Sequence, residues 1–417
     1  MANPDFLASP DYPLSLFQAV GMELEYMIVD RDSLSVRPLC DRLLQAAGGV
    51  LDNEVYPEGE NGPAAWSNEL VLHVVEFKTP APVASLEGLD ALFLAQVAHA
   101  DAMLSQWNAR LMPTAMHPWM NPHTETQLWP HGSRDIYESF NRIFNCRGHG
   151  WANLQSVHIN LPFANDAEFR RLHAAIRTVL PLLPALAASS PVMDGTLTGC
   201  MDNRLAVYQN NCARIPQITG SVIPETVRGR QEYENRILHP IYQALAPLDP
   251  EGILRHEWAN ARGAIARFDR GAIEIRLLDI QECPKADLAI AALVCAVIKA
   301  LAEERFSTIA EQEALSTELL AGVLREAIRD GDTALLECPP LARCLGLPET
   351  RQTLGEAWQQ LAARTLPLAS PALNLIFEKG CLARRITQAL QQRGRSSLHA
   401  VYAELCACLK HNRMFND

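Results

Sequence analysis

Glu23 and Glu25 are separated by one leucine inside the apolar run VGMELEYMIV. Alternate side chains of a β-strand share a face, so both carboxylates project one way while Met22 and Leu24 project the other. Burying a lone ionised carboxylate costs several kcal/mol or shifts its pKa, so such a face must meet water, cations or a charged ligand. Similar pairs recur in apolar frames: Glu69 and Glu76 in NELVLHVVEF, His158 and Asn160 in QSVHINLPF, and Glu274 and Arg276 in GAIEIRLLD. Four such strands are the layout of a metal site on a sheet. Mg²⁺ or Mn²⁺ suits it, because hard divalent cations take oxygen ligands in octahedral arrays.

Each pair taken alone has a plainer reading. Glu23 and Glu25 can be a solvated strand face, His158 a hydrogen-bonded core residue, and Glu274 with Arg276 a surface ion pair contributing about 0–1 kcal/mol. Glu69 and Glu76 lie at an odd interval, which puts them on opposite faces of a regular strand unless a bulge or bend intervenes. Their joint occurrence favours a shared site, with Glu274 holding a cation while Arg276 holds a phosphate oxygen. Arg204, Arg214, Arg262 and Arg267 offer further cations from turn-rich segments and a hairpin.

The 417 residues suffice for a large core, and 36 Lys and Arg against 48 Asp and Glu leave a net charge of −12. That balance excludes a nucleic-acid footprint and leaves small molecules as partners. The opening stretch MANPDFLASPDYPLSLF lacks a secretory pattern, and the most apolar window, Leu288 to Ile298, is about half of the roughly 20 residues that span a bilayer. Eleven cysteines without a regular framework fit a reduced, cytoplasmic protein. Cys406 and Cys408 are expected as buried small side chains rather than zinc ligands.

Periodicity predicts strands over 17–30 and across LHVVEF, a helix over 86–108, a short helix from Arg134 to Phe144, a strand at SVHINLPF, and a helix over 166–188 bent by Pro181 and Pro184. A hairpin turning at Asp269, Arg270 and Gly271 precedes a chain that is helical from Pro284 onward. No repeat or linker divides it. The expectation is one α+β domain over 1–417, with an antiparallel sheet in about 17–283, helices packed on one face, and a helical C-terminal third over 284–417.

No Walker glycine loop, nucleophile elbow, metalloprotease helix or dinucleotide fingerprint is present. Phosphates therefore have to be held by metal ions and arginines.

The same segments resemble, in order, the glutamate-cysteine ligase family, more closely its second, bacterial carboxylate-amine ligase type. GMELEYMIVD and LHVVEFKTP are similar to its metal-bearing strands, LMPTAMHPW to its Thr-His-Pro strand, and SVHINLPF to its His-x-His or His-x-Asn strand. SSPVMDGTLTGCMDNR matches a pattern that places Ser190, Pro191, Gly195, Thr198, Gly199 and Arg204, and WANARGAIARFDRGAIEIRLLD matches the closing Glu-x-Arg segment. The resemblance implies a glutamine synthetase-like fold, a curved antiparallel sheet forming a funnel for ATP and Mg²⁺, and ATP-dependent amide formation through an acyl phosphate with amino-acid-like substrates. It implies Glu23, Glu25, Glu69, Glu76, His158 and Glu274 as metal ligands. Arg276, Glu274 and Arg204 are the catalytic candidates, and Arg204, Arg262, Arg276 and Asn160 the nucleotide-binding ones. Asn160, Asn260 and Asn203 depart from the family's commoner His, Asp and Ser. A two-metal phosphohydrolase and a non-catalytic nucleotide binder are the alternatives, and monomer and homodimer both stay open.

Overall fold

The computed structural model describes residues 13–57, 64–366 and 370–416. The first twelve residues of the opening stretch lie outside them. The strands are β1 (Gly21–Asp30), β2 (Glu54–Val55), β3 (Ala65–Asn68), β4 (Val74–Lys78), β5 (Ala109–Met112), β6 (Ser156–Pro162), β7 (Val192–Met193), β8 (Thr196–Leu197), β9 (Ala264–Arg267) and β10 (Ala272–Asp279). Eight form one sheet ordered β2-β3-β4-β1-β6-β10-β9, with β5 also paired to β1, while β7 and β8 make a separate ribbon. Every ladder among the described strands is antiparallel. Pairing between β1 and β4 runs over Glu23–Met27, so β6 at Gly21–Leu24 and β5 at Met27–Asp30 share the opposite edge of β1.

Alternation along β1 sorts the molecule into a polar front and an apolar back. Met22, Leu24, Tyr26 and Ile28 are fully buried and join the main core with Phe77, Ile159 and Ile275 from neighbouring strands. Helices Leu89–Leu104, Asp166–Val179 and Pro284–Ala302 close over that back face, and their residues Phe93, Leu172 and Leu293 belong to the same core. The helix Pro284–Ala302 is apolar on nearly all sides and is packed against both of the others, which accounts for its unbroken hydrophobic run. The predicted bend at Pro181 and Pro184 appears as a one-turn 3₁₀ segment, Leu180–Leu182, before the short helix Pro184–Ala187.

Helical cover is not confined to one face. Met27 and Val29 point forward with the two glutamates, and they meet Met112, Leu382, Tyr402 and Leu405 in a second core under the last two helices, Leu382–Arg393 and Leu398–Lys410. Among the described residues, this helical cover thus lies over the Met27 and Val29 end of β1 rather than the Glu23 and Glu25 end. Cys406 and Cys408 are buried in this region, and all eleven cysteines are unpaired thiols.

Leu24 sits with no exposed surface on the central strand. Leu24→Ala should lower the unfolding free energy by about 2–5 kcal/mol in urea titration, through lost burial and an unfilled cavity. A change under about 1 kcal/mol would contradict the assignment of this face to the core.

Candidate active site

Register gathers the forward-facing polar residues. Glu25 lies directly across from Glu76, Glu23 from both Lys78 and His158, Gly21 from Asn160, and Asn160 from Glu274. Directly opposed residues of an antiparallel sheet share a face, so one patch spanning β4, β1, β6 and β10 holds all of them.

Two departures from regular strand geometry complete the patch. Glu69 is not on a strand with Glu76: β3 ends at Asn68, the chain turns through residues 70–73, and β4 returns antiparallel with Ser67 opposite Glu76. This hairpin, rather than a bulge, overcomes the odd interval and brings Glu69 and Glu76 to the same front. On β10 the register slips between Ile275 and Leu278, which oppose Ile159 and Val157, so β10 carries one residue more than β6 there. Arg276 sits in that bulge with its N–H donating to Gly263 O at 2.9 Å. Beyond the slip Asp279 turns to the front opposite Ser156, where simple alternation would have sent it to the core.

The carboxylates are close and held by directed contacts. Ligand oxygens or nitrogens of Glu23, Glu76 and His158 lie within 4.8 Å of one another, as do those of Glu25, Glu69 and Glu76. Glu23 accepts from His158 Nδ1 at 2.9 Å and from Asn160 Nδ2 at 2.9 Å. Glu25 accepts from the Ser156 N–H at 2.8 Å and its hydroxyl at 3.1 Å. Glu76 accepts from Ser67 Oγ at 2.6 Å and pairs with Lys78 Nζ at 3.3 Å, while Lys78 also reaches Glu54 at 2.7 Å. Glu274 binds Arg276 Nε at 2.5 Å and lies 3.5 Å from Arg267 Nη1.

These distances perturb the ionisation of the cluster. Burial, then the charges of Glu25 and Glu76, push the Glu69 carboxyl well above its ordinary value. Burial and the charge of Glu23 push Glu76 up to about 7 against the opposing pull of Lys78. Burial also works to raise Glu23, but its bond to His158 and that residue's charge more than reverse this and hold it below the usual carboxylate range. His158 itself is pushed up to about 9: burial disfavours its charge, yet the Glu23 hydrogen bond and the charges of Glu25, Glu23 and Glu274 prevail. Oxygen-rich donors, one imidazole and several carboxylates that share protons at neutral pH fit a hard divalent cation, which would replace those protons.

The cluster lies in a cavity of about 610 Å³ whose lining includes Glu23, Glu25, Glu69, Glu76, His158, Glu274, Arg204, Arg267 and Arg276. Arg204 is buried, its Nε donating to Asp279 Oδ1 at 2.5 Å and its Nη2 to Arg276 O at 3.2 Å. A second cavity of about 740 Å³ shares Glu23, Glu54, Lys78 and Arg270 with the first and adds Asn160, the Thr79–Pro82 segment and the Phe268–Ala272 turn.

Arg214, which donates from Nη1 to Ile143 O at 2.8 Å, lines neither cavity, and neither does Arg262. Its guanidinium closes a two-point ion pair with Glu225 at 2.6 and 2.8 Å and also contacts Gln217 O and Asn260 Oδ1, so its donors are spent in scaffolding. Asn203 and Asn260 are likewise buried in local bonds, to Ser190 O and to Tyr233 OH. His73 and His173 are buried, His73 against Ala152 O and His173 against the Phe169 ring. Lys78 was not singled out from the sequence, although it stands two residues from Glu76 and the alternation that pairs Glu23 with Glu25 points to it. Ser67, Ser156 and Asp279 carry no comparable signal.

Comparison with known proteins follows the same lines. The model of glutamate-cysteine ligase family 2 matches residues 19–404. An uncharacterized protein of Archaeoglobus fulgidus is 31% identical over 95% of this chain and 100% of its own. A putative glutamate–cysteine ligase 2-3 of Rubrobacter xylanophilus is 27% identical over 72% of each chain. Among solved structures, the glutamate–cysteine ligase of Francisella tularensis in complex with AMP superposes with a TM-score of 0.57 at 13% identity, covering 94% of this chain and 88% of that one. A bifunctional glutathione synthetase from Pasteurella multocida gives 0.54 at 14% identity, over 95% of this chain and 53% of that one. The α+β fold with an antiparallel sheet implied by the sequence is thus observed, and it is the fold shared with these two proteins.

Because Glu76, Glu69 and His158 hold protons that a cation must displace, Mn²⁺ affinity measured by calorimetry should rise from pH 6 to pH 9, with protons released on binding. Affinity that is flat or falls across that range would exclude these residues as the ligand set.

Proposed function

The chain belongs to glutamate-cysteine ligase family 2, and from that membership we propose that it is an ATP-dependent carbon–nitrogen ligase. It joins an acid of the glutamate type to an amine through an acyl phosphate, releasing ADP and inorganic phosphate. The observation that carries this reading is the meeting of Glu23, Glu25, Glu54, Glu69, Glu76 and Glu274 with Arg204, Arg267 and Arg276 in one cavity. Such a site can hold a polyphosphate and a carboxylate side by side, and it needs no side-chain nucleophile.

Glu23, Glu25, Glu69, Glu76, His158 and Glu274 are the proposed ligands of the divalent cations, Mg²⁺ or Mn²⁺. Bound there, the cations would neutralise the phosphate chain and favour transfer of its terminal phosphoryl group. In the first step a carboxylate oxygen of the acid bonds to the γ-phosphorus as the bond to the β-phosphate oxygen breaks and ADP departs. In the second, the amine nitrogen bonds to the acyl carbon, the carbon–oxygen bond to phosphate breaks, and the amine loses a proton. Arg276 is fixed by Glu274 on one side and the bulge on the other, so its charge is aimed before substrate arrives and balances the phosphate as it leaves. Arg204, held rigid by Asp279, orients the substrate carboxylate or the transferred group. Asn160 fixes Glu23 and borders the adjoining cavity, where the nucleotide is proposed to lie.

The sheet and the helical third are proposed to act as one catalytic unit, since core residues from Val20 to Leu409 pack together. Eleven free thiols support work in the reducing cytoplasm. Among described residues no helix is long and apolar enough to cross a membrane.

Phosphate release from ATP and Mg²⁺ should depend on both an acid and an amine, and mass spectrometry should find the amide. Phosphate released equally without any amine would instead indicate a hydrolase. Glu25→Gln should reduce turnover by at least about a hundredfold while far-ultraviolet circular dichroism and melting stay near wild type. Wild-type turnover in that variant would remove Glu25 from the ligand set. Arg276→Lys keeps the charge but loses the planar fork held by Glu274, so kcat should fall about 10²–10³-fold. An unaltered kcat would leave Arg276 with a structural role alone.

A further inference from the structure

The 610 Å³ cavity has a second wall unlike the first. Away from the carboxylates it is lined by Ile136, Tyr137 and Phe140 from the helix Arg134–Phe144, by Trp151, and by Trp258. The rings form a continuous cluster, with Phe140 5.3 Å from Trp151 and 6.0 Å from Trp258. Core rings such as Trp66, Trp129 and Trp358 are fully buried, whereas Phe140, Trp151 and Trp258 are only half-buried and border the cavity. Two polar ends on this wall are engaged by protein: Trp151 Nε1 donates to Asn211 O at 3.1 Å, and Tyr137 OH accepts from Asn68 Nδ2 at 2.9 Å. What this wall offers a ligand is mainly aromatic surface.

We propose, resting on the ligase reading, that the amine consumed by this enzyme carries an aromatic or hydrocarbon group that packs against Phe140, Trp151 and Trp258. Arg204 and Arg276, the guanidinium groups suited to the acid's carboxylate, line this cavity and not the adjoining one. The amine must reach that same carboxyl carbon to form the carbon–nitrogen bond as phosphate leaves, so it shares this cavity. The base and sugar of the nucleotide have the other, whose apolar lining includes Leu14, Val20 and Phe268, while its phosphates reach the cations past Glu23, Lys78 and Arg270, which border both cavities. An amine such as ammonia or ethanolamine would leave three large rings facing water, whereas an apolar group removes them from it. The nearby glutamates suit the ammonium end of such a molecule.

The test measures kcat/KM from phosphate release with ATP, Mg²⁺ and L-glutamate, using ammonia, ethanolamine and L-cysteine against phenylethylamine and hexylamine, with mass spectrometry of the amide. The apolar amines should exceed the small ones by about tenfold or more. Trp258→Ala should lower kcat/KM for phenylethylamine about tenfold with the KM for ATP unchanged, and Trp258→Phe should restore most of the loss. Ethanolamine or L-cysteine used as well as phenylethylamine overturns the inference and leaves the ligase reading standing. So does a raised KM for ATP in Trp258→Ala, which would put the adenine on this wall. Absence of phosphate release with every amine overturns the ligase reading and this inference together.

Discussion

Repulsion among the gathered carboxylates is the constraint around which the molecule is arranged. Two unit charges about 4 Å apart oppose each other by roughly 4 kcal/mol at an effective dielectric of 20, and Glu25, Glu69 and Glu76 bring ligand oxygens within 4.8 Å. The chain limits this cost in several ways. His158 lies among Glu23, Glu25 and Glu274, Lys78 bridges Glu54 and Glu76, and Arg276 and Arg267 flank Glu274. Glu69 and Glu76 shift toward the protonated state. Such a cluster persists because the backbone beneath it is rigid, with each strand fixed from behind by fully buried residues such as Leu24, Phe77, Ile159 and Ile275.

That rigidity extends to the C-terminal helices. Glu282, three residues past the end of β10, accepts from Arg385 Nη1 at 2.6 Å, and the same Arg385 atom donates to Phe415 O. Both charged side chains are buried, and removing either partner of such a pair is more damaging than the pair is stabilising. The strand that presents Glu274, Arg276 and Asp279 is thereby anchored to residues more than a hundred positions away. The helical third, which bears none of the site residues, thus helps to fix where they stand.

Strand alternation makes much of this legible in the sequence. It placed Glu23 with Glu25 and His158 with Asn160, and it identified the hairpin that presents Glu274 and Arg276. It failed where the backbone leaves the regular period. Glu69 reaches the site through a turn, and Asp279 faces forward because of the bulge at Arg276. Arg262 stood beside Arg276 as a nucleotide-binding candidate, since nothing local reveals that Glu225, 37 residues earlier, pairs with it. The aromatic wall was equally hidden: Phe140, Trp151 and Trp258 sit on three short elements that only the tertiary fold brings together.

The central claim is that several distant strands build one cation-binding pocket at Glu23, Glu25, Glu69, Glu76, His158 and Glu274. Anomalous diffraction from crystals grown with Mn²⁺ tests it most directly. Manganese peaks bridging Glu23, Glu76 and His158, and Glu25, Glu69 and Glu76, are the predicted result. Manganese found only at other surface acids, with these side chains keeping their mutual hydrogen bonds, would contradict the account.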